Sequence, residues 1–329
     1  MDNKHATLPP LPPLCGCREA VVIVSDLASY TTVFIEVAGW TVLAEGETDA
    51  ALLEHWQLPA GARGRYAVLA NPEYNSGCIR LMQFEGVAQQ MIRPHTQTWD
   101  TGGILDLNIR VVDMARKQAQ LEALGWQANS EPVTWQFGPF RVQEWLVRGP
   151  DGLSLALIER LDPPLEGWPH LKEFSHTFNS TQVVRDLPAS LAFYRDTLGF
   201  GEFLHERHTF PEAGPNVLGM PHNLASTILH EIYILHPEAA CEGSIELLTY
   251  EGLEGRDLAD RAHPPNLGAA VLRFPLTEGI GALARRLAAS GAMARRSRVL
   301  NLAPWGEVEL LSTQAPEGAW LEFYQPANI

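Results

Sequence analysis

Four segments of the chain share one pattern, in which a short strand-like run rich in apolar residues is followed by a helix-length segment. Residues 21–40 and 181–200 are the two most similar copies, and residues 105–126 and 269–291 repeat the pattern. An acidic residue at the helix start and a Gly at its end predict an N-cap and a left-handed C-terminal residue. The four acid and Gly pairs are Asp26 and Gly39, Asp113 and Gly125, Asp186 and Gly199, and Glu278 and Gly291.

Landmarks later in these segments return at a nearly constant distance, which indicates a duplicated half. IRLMQFEG at residues 79–86 returns as IELLTYEG at residues 245–252, an offset of 166. FGPF at Phe137 returns as LAPW at Leu302, an offset of 165, and GPDG at Gly149 returns as APEG at Ala315, an offset of 166. Several short strand-like runs with turn residues between them follow each helix. The sequence therefore predicts four βαβββ modules, two in each half.

The expected fold is α+β, with the four βαβββ modules paired into two curled-sheet barrels and the helices outside. A single helix cannot cover the hydrophobic faces of its sheet, so two neighbouring modules are expected to curl around a shared concavity. We expect a flexible Pro-rich tail at residues 1–17 and an N-terminal paired-module domain at residues 18–160. A Pro-containing linker at residues 161–173 and a C-terminal paired-module domain at residues 174–329 complete the predicted organisation.

Composition and charge narrow the class of partner. The chain has 329 residues, with 24 basic against 39 acidic side chains and a formal net charge of −15. This negative charge argues against a nucleic acid or an anionic membrane as partner. No uncharged apolar run reaches the roughly 18 residues of a membrane span, and only four Cys favour a reducing cytoplasm over a disulfide scaffold. We expect a soluble cytoplasmic protein that handles a small-molecule substrate, with a homodimer left open.

The four-module arrangement resembles the vicinal oxygen chelate superfamily, which includes glyoxalase I, bleomycin-resistance proteins and the extradiol dioxygenases. Helices that end in LGF or LGW turns carry the resemblance, most typically DLPASLAFYRDTLGF at residues 186–200. The resemblance extends from about residue 18 to residue 326. It implies metal ligands at matching positions on the first and last strands of each module. It does not imply one particular reaction, since this scaffold hosts many chemistries.

Strand alternation in the second module predicts a polar concave face. The apolar residues at positions 107, 109 and 111 are suited to packing under the helix. Asp106, Asn108 and Arg110 are therefore expected to point to the opposite face. That face meets either solvent or a ligand, and these three residues are candidates for substrate binding.

Carried over position by position, the resemblance implies a metal-free centre in the N-terminal half. The matching positions are Glu19, Arg80, Asp106 and Ala156. A guanidinium among carboxylates replaces a cation electrostatically, so Glu19, Arg80 and Asp106 are expected to form a structural ion cluster. The alternatives are a salt-bridged functional centre and a buried ion-pair cluster with no chemistry.

The same positions in the C-terminal half are Asn179, Glu246, Glu322 and Val271. The oxygen donors of Asn179, Glu246 and Glu322 would suit a divalent metal such as Mg²⁺ or Mn²⁺, with Zn²⁺, iron or a metal-free site also open. In the metal-free version Glu246 or Glu322 acts as a catalytic base, with its pKa raised by burial and by the other carboxylate. The two-His, one-carboxylate iron site of the extradiol dioxygenases is matched only at Glu322.

Two aromatic residues alternate with Glu322 on the last strand. Trp320 and Tyr324 should share a face with this carboxylate, because side chains two residues apart on a strand point the same way. We expect both to contact the substrate in the C-terminal barrel.

Three functions are compatible with these positions. The first is a glyoxalase-type isomerase or lyase, in which Glu246 or Glu322 removes a proton next to a carbonyl group of a small oxygenated or aromatic-derived substrate. The second is a degenerate relative of the extradiol dioxygenases. The third is a non-catalytic binding or resistance protein. The pair of acids in the C-terminal half favours the first.

Overall fold

The computed structural model describes residues 16–95, 97–276 and 279–327. The fold is α+β, as the sequence predicts, and its strands form two nine-stranded sheets. Both sheets are open: β2 and β15 form the edges of one, and β6 and β11 form the edges of the other, with the bounds given below. The predicted barrels are therefore curled open sheets. The predicted helix-start acid Glu278 lies outside the described residues.

Each of the four modules contains a first strand, a helix and at least three further strands. The first module comprises β1 (Glu19–Ile23), α1 (Leu27–Glu36), β2 (Thr41–Glu47), α2 (Ala50–His55), β3 (Arg63–Ala70) and β4 (Cys78–Glu85). The second comprises β5 (Asp106–Val111), α3 (Met114–Ala123), β6 (Gln127–Ala128), β7 (Val133–Phe137), β8 (Phe140–Arg148) and β9 (Ser154–Asp162).

The third and fourth modules follow the same order. The third comprises β10 (Phe174–Val183), α4 (Leu187–Leu191) with its π-helical continuation (Ala192–Thr197), β11 (Gly201–His208), α5 (His222–Ala225), β12 (Leu229–His236) and β13 (Ser244–Glu251). A 3₁₀ turn (Ala259–Arg261) precedes the fourth module. That module comprises β14 (Gly268–Pro275), α6 (Ile280–Ser290), β15 (Arg295–Arg296), β16 (Leu300–Asn301), β17 (Glu307–Gln314) and β18 (Trp320–Pro326).

The predicted helix boundaries are confirmed at the described caps. The side chains of Asp26, Asp113 and Asp186 each accept a hydrogen bond from a backbone N–H in the first turn of the following helix. The glycines that end the pattern, at positions 39, 125, 199 and 291, all have positive φ. Glycine adopts this conformation without the steric cost of a Cβ atom, which is why the helix can end there.

The predicted pairing of neighbouring modules is wrong. The first sheet has the order β15-β17-β18-β14-β1-β4-β3-β2, so it joins the first module to the fourth. The second sheet has the order β11-β12-β13-β10-β5-β9-β8-β6, so it joins the second module to the third. In each sheet the two first strands pair antiparallel, with Glu19 opposite Arg273 and Asn179 opposite Asn108. Each sheet therefore combines strands from both halves of the predicted duplication.

The connections between modules explain how this pairing is reached. Residues 86–105 lead from β4 in the first sheet to β5 in the second, and residues 252–267 lead from β13 back to β14. Both connections are long enough to cross between sheets. The first strands all carry similar apolar faces, so the local pattern does not select which pair will meet.

One hydrophobic cluster covers the helix side of both sheets. It includes Val22 from β1, Phe34 from α1, Leu107 from β5 and Leu283 from α6. The neighbouring residues on the strands point the other way, and Val21 belongs to a separate cluster on the inner face of the first sheet. The helices thus pack on one face of each sheet and leave the opposite face for a cavity or a second core.

The predicted flexible tail, residues 1–17, includes two residues that belong to the folded structure. Gly16 and Cys17 are buried, and the backbone N–H of Cys17 donates to the carbonyl oxygen of Gly243 at 2.7 Å. Residues 1–15 lie outside the described part. No helix within the described residues combines the length and the apolar character that a membrane span requires.

Candidate functional site

A cavity of about 350 Å³ lies on the face of the second sheet that is turned away from the helices. As strand alternation predicts, Asp106, Asn108 and Arg110 line it, whereas Leu107 and Ile109 pack in the helix-side cluster. Polar side chains from β5, β8, β10 and β13 reach the interior between mainly apolar walls. They include Asp106, Asn108, Glu144, Asn179, Thr181 and Glu246, and the cavity is also lined by Arg110, Arg160, His208 and His230.

The floor of the cavity is a network of amide and hydroxyl groups. Asn108 Nδ2 lies 3.0 Å from Asn179 Oδ1, 3.0 Å from Thr181 Oγ1 and 3.2 Å from Asp106 Oδ1. Asn179 Nδ2 donates to Ser244 Oγ at 2.7 Å. The paired strands β5 and β10 bring these residues together, with Asn108 opposite Asn179 and Asp106 opposite Thr181. The network holds the floor rigid and uses most of its own donors.

Three carboxyl groups in or beside this cavity have raised pKa values. Burial raises the pKa of Asp106 to about 7, although Thr181 and Arg93 oppose the shift. Burial raises the pKa of Glu144 to about 7 as well, although Trp135 Nε1 donates to its Oε2 at 2.9 Å. For Glu246, burial and the charges of Asp106 and Glu144 raise the pKa to about 8. These groups exchange protons near neutral pH, as acid–base catalysts do.

Two of these carboxyls are accessible from the cavity. The single described hydrogen bond to the Glu246 carboxyl comes from Thr181 Oγ1, at 3.5 Å from Oε1. Asp106 is held by Asn108 and Thr181 and is almost fully buried. Among the described residues, no cation forms an ion pair with Asp106, Glu144 or Glu246. Glu144 and Glu246 are therefore the groups best placed to contact a ligand.

An ion cluster occupies the centre of the first sheet. Glu19 Oε1 lies 2.8 Å from Arg80 Nε and 2.7 Å from Arg273 Nη1, and Glu322 Oε2 lies 2.7 Å from Arg273 Nε. Trp305 donates to Glu19 and Trp56 donates to Glu322 from the two sides. All four charged side chains are almost completely buried. Their charges compensate one another, so this centre needs no bound ion for charge balance.

Strand register shows that the two centres are equivalent. Glu19, Arg273 and Glu322 occupy adjacent positions on paired strands, and Asn179, Asn108 and Ala156 occupy the same positions in the second sheet. Arg80 and Glu246 match in the same way. Two arginines and two carboxylates in one sheet thus correspond to two amides, a carboxylate and a methyl group in the other. The first centre is closed by its own charges, whereas the second is open.

The structure does not assemble the predicted set of Glu246, Glu322 and Asn179. Glu246 and Asn179 line the cavity together, but Glu322 lies in the other sheet and is bound to Arg273. The prediction failed because it assumed that the third and fourth modules pair. Trp320 and Tyr324 do share a face with each other, but they pack in the inner cluster of the first sheet.

The predicted cluster of Glu19, Arg80 and Asp106 is divided in the same way. Glu19 and Arg80 form an ion pair in the first sheet, whereas Asp106 lies in the second. The residue that completes the cluster is Arg273. Counting back from Glu278 in the sequence placed Val271 at this position, two residues before Arg273. Val271 packs in the inner cluster of the first sheet instead.

Glu144 is the functional candidate that the sequence comparison missed. It lies on β8, which is neither the first nor the last strand of its module. A signal was nevertheless present: Glu144 stands between Val142 and Leu146 on one strand face, and all three line the cavity. A single acid on an otherwise apolar strand face is costly to bury without a function or a partner.

The ligand positions of the second sheet do not fit a metal. The sequence placed Asp106 at one of them, but strand register places Asn108 there, together with Asn179, Ala156 and Glu246, so Glu246 is the single anionic side chain of the set. The amide of Asn108 donates to Asn179, which turns an N–H group toward the oxygen that a metal would need. Among the described residues, no group of three or more His, Cys, Asp or Glu side chains is arranged to hold a metal ion.

Comparisons with known proteins agree with this fold. Residues 174–323 match the model of the Glyoxalase/Bleomycin resistance protein/Dioxygenase superfamily. Glyoxalase I from Zea mays is similar in structure, with 17% identity, coverage of 94% of this chain and 92% of that chain, and a TM-score of 0.59. A dioxygenase candidate from Bacillus subtilis subsp. subtilis strain 168 has 14% identity, coverage of 95% and 86%, and a TM-score of 0.55. At these identities the similarity shows the fold alone. No curated protein matches the sequence significantly.

Proposed function

Because residues 174–323 carry a domain of this superfamily, we propose that the protein is an isomerase or lyase that moves a proton at a carbon atom next to a carbonyl group. The reaction takes place in the cavity of the second sheet. One observation carries the proposal: Glu144 and Glu246 line the same cavity and have pKa values of about 7 and about 8. Acid–base catalysis is most effective when such values lie near the working pH.

The surroundings of the two carboxyls give each a role: burial raises the pKa of both, but Arg110 opposes the shift at Glu144, whereas the charges of Asp106 and Glu144 add to it at Glu246. At neutral pH Glu144 is the more ionised and accepts the proton from the substrate carbon, whose C–H electron pair becomes the C=C bond of an enol. Glu246 retains its proton and gives it to the carbonyl oxygen. In a lyase reaction this proton goes to the departing group instead. In the reverse direction the roles are exchanged: Glu246 takes the proton from the enol oxygen and Glu144 returns a proton to the carbon. This assignment differs from the sequence-based expectation, in which Glu246 removes the proton from carbon.

Asp106 acts through Glu246 and is a positioning residue. Its carboxyl is fixed by Asn108 and Thr181, and its charge raises the pKa of Glu246. Thr181 also donates to Glu246, which aims the carboxyl into the cavity. No step of the reaction is assigned to a metal, because the side chains at the ligand positions do not fit one.

The test of this proposal is hydrogen–deuterium exchange at carbon. We expect the protein in D₂O to accelerate loss of the α-proton signal of at least one compound in a panel of 2-oxo acids and aryl ketones, followed by proton NMR. Heat-denatured protein supplies the background rate. Exchange no faster than this background for every compound, together with a small molecule retained by the purified protein, would favour the non-catalytic binding function instead.

We expect a bell-shaped dependence of the exchange rate on pH. It should rise as Glu144 loses its proton, with a limb near pH 7, and fall as Glu246 loses its proton, with a limb near pH 8. Rates measured from about pH 5 to about pH 10 would reveal both limbs. A profile that keeps rising above pH 9 would contradict the assignment of Glu246 as the proton donor.

A further inference from the structure

Two arginines lie at one end of the cavity, beyond Asp106 and Asn108 and level with Glu144, which pairs with Ile158 on the intervening strand. Arg110 is at the end of the row Asp106, Asn108, Arg110 on β5, and Arg160 lies on the adjacent parallel strand β9. Their strands are in register, with Arg110 beside Ile158, two residues before Arg160. The two guanidinium groups therefore approach the same region of the cavity.

Aromatic rings hold both guanidinium groups by their faces. Arg110 Cζ lies 4.5 Å from the ring centre of Phe178 and 5.1 Å from that of Trp168. Arg160 Cζ lies 3.8 Å from the ring centre of Phe140. Stacking occupies the face of a guanidinium and leaves its N–H groups, which lie in its plane, free to donate.

Neither guanidinium has an anionic partner within residues 16–95, 97–276 and 279–327. No ion pair or side-chain hydrogen bond joins either one to another described group, and the Nε atom of each is buried without a partner. Burial lowers the pKa of both; at Arg110 the charge of Arg160 adds to this shift, whereas Glu242 and Glu144 oppose it from beyond ion-pair distance. An anion that reaches both guanidinium groups would supply the close partner that neither has among the described residues.

We infer that the molecule bound in this cavity carries a carboxylate, which Arg110 and Arg160 bind, on a compact and flat apolar body. The body would lie along Trp135, Phe178 and Phe210, which line the wall. The cavity volume of about 350 Å³ is near the lower limit for ligand pockets, roughly 300 Å³, which favours a single ring with a short side chain. In combination with the proposed function, on which this last point rests, the substrate is an aromatic 2-oxo acid or a similar carbonyl acid.

A carboxylate fits this site better than a phosphate group. Its planar oxygens match the fork of donors on a guanidinium, and it brings one negative charge. The cavity also contains Asp106, Glu144 and Glu246, whose ionisation is already suppressed. A second charge on the ligand would add repulsion from these groups.

The experiment compares two probes of nearly identical shape, phenylacetate and phenylacetamide, by isothermal titration calorimetry at neutral pH. We expect the wild-type protein to bind the carboxylate at least about tenfold more tightly than the neutral amide. Arg110→Met keeps an unbranched apolar stem but removes the guanidinium group and its charge, and should weaken phenylacetate binding by about ten- to hundredfold. Arg110→Lys should recover part of the loss, since it restores the charge without the fork.

Controls separate a binding role from a structural one. Arg160→Met provides a second variant if Arg110→Met does not fold, and Arg63→Met, at an exposed ion pair with Glu85, should leave both affinities unchanged. Equal affinity for the two probes, no binding of phenylacetate, or unchanged binding in both Arg110→Met and Arg160→Met would overturn the inference.

The same titrations distinguish this inference from the proposed reaction. Glu246→Gln should retain the preference for phenylacetate, because it leaves both arginines in place. A clear preference without any catalysed exchange would support the anion site and reject the reaction. Catalysed exchange without the preference would support the reaction and reject the anion site.

Discussion

Replacement of Glu246 by glutamine is expected to lower the exchange rate by at least about a hundredfold. Glutamine keeps the shape of the side chain and accepts the bond from Thr181, but it cannot give or take a proton at neutral pH. The measurement is the initial rate of α-proton exchange in D₂O, with Glu251→Gln as the matched control. Glu251 lies at the end of the same strand and is largely exposed, so its replacement should leave the rate unchanged.

The same variant is expected to be more stable than the wild type at neutral pH. The pKa of Glu246 is about 8 in the fold, because of burial and of the nearby charges, against an ordinary value of 4.5. The unfolded chain therefore binds fewer protons between these values, and the wild type loses stability as the pH rises through that range. Glutamine removes this cost, so we expect a gain of about 1–3 kcal/mol in the free energy of unfolding at pH 7.

Denaturant unfolding at two pH values checks this expectation. The gain should disappear below about pH 4, where the carboxyl is protonated in both states. A loss of stability at neutral pH together with a loss of activity would mean that Glu246 supports the fold and that its role in catalysis is secondary. Unchanged exchange in a folded Glu246→Gln protein would remove Glu246 from the mechanism.

Local signals account for what the sequence predicts correctly. Asp26, Asp113 and Asp186 cap helices and the glycines at positions 39, 125 and 199 end them, because these functions need only neighbouring backbone groups. Alternation along β5 likewise predicts the direction of Asp106, Asn108 and Arg110, since it depends on one strand alone. The α+β fold and the modules follow from such signals.

Module pairing is a long-range property, and the errors in the candidate site follow from it. The chain joins the second module to the third across a linker, and it joins the first module to the fourth across most of the sequence. Glu322 was assigned to the cavity of Glu246 through this error. Arg273 was missed because the fourth module keeps a different distance between its first strand and its helix, so that counting back reached Val271. The approach of Glu144 to Glu246 in one cavity depends on the curl of the whole sheet, which the pattern of a single strand does not predict.

Replacement of Glu19 by glutamine is expected to destabilise the protein by about 3–5 kcal/mol. Glu19 binds both Arg80 and Arg273. Its loss therefore leaves two buried guanidinium groups and one carboxylate, Glu322, which is bound to Arg273. Chemical unfolding at neutral pH measures the change. Glu85→Gln is the matched control, since the ion pair of Glu85 with Arg63 is exposed and contributes at most about 1 kcal/mol.

The pH dependence of stability has opposite signs at Glu19 and at Glu246. Although burial opposes it, Arg80 and Arg273 hold the pKa of Glu19 at about 2, below the ordinary value of 4.5. The contribution of Glu19 is therefore present above pH 4.5 and is lost as the pH falls toward 2, so the wild type and Glu19→Gln should converge in acid. Glu246 has the opposite sign, because its pKa is raised. If Glu19→Gln retains full stability, the ion cluster does not stabilise the first sheet. If the variant folds normally but loses phenylacetate binding, the ion cluster of the first sheet is coupled to the cavity of the second.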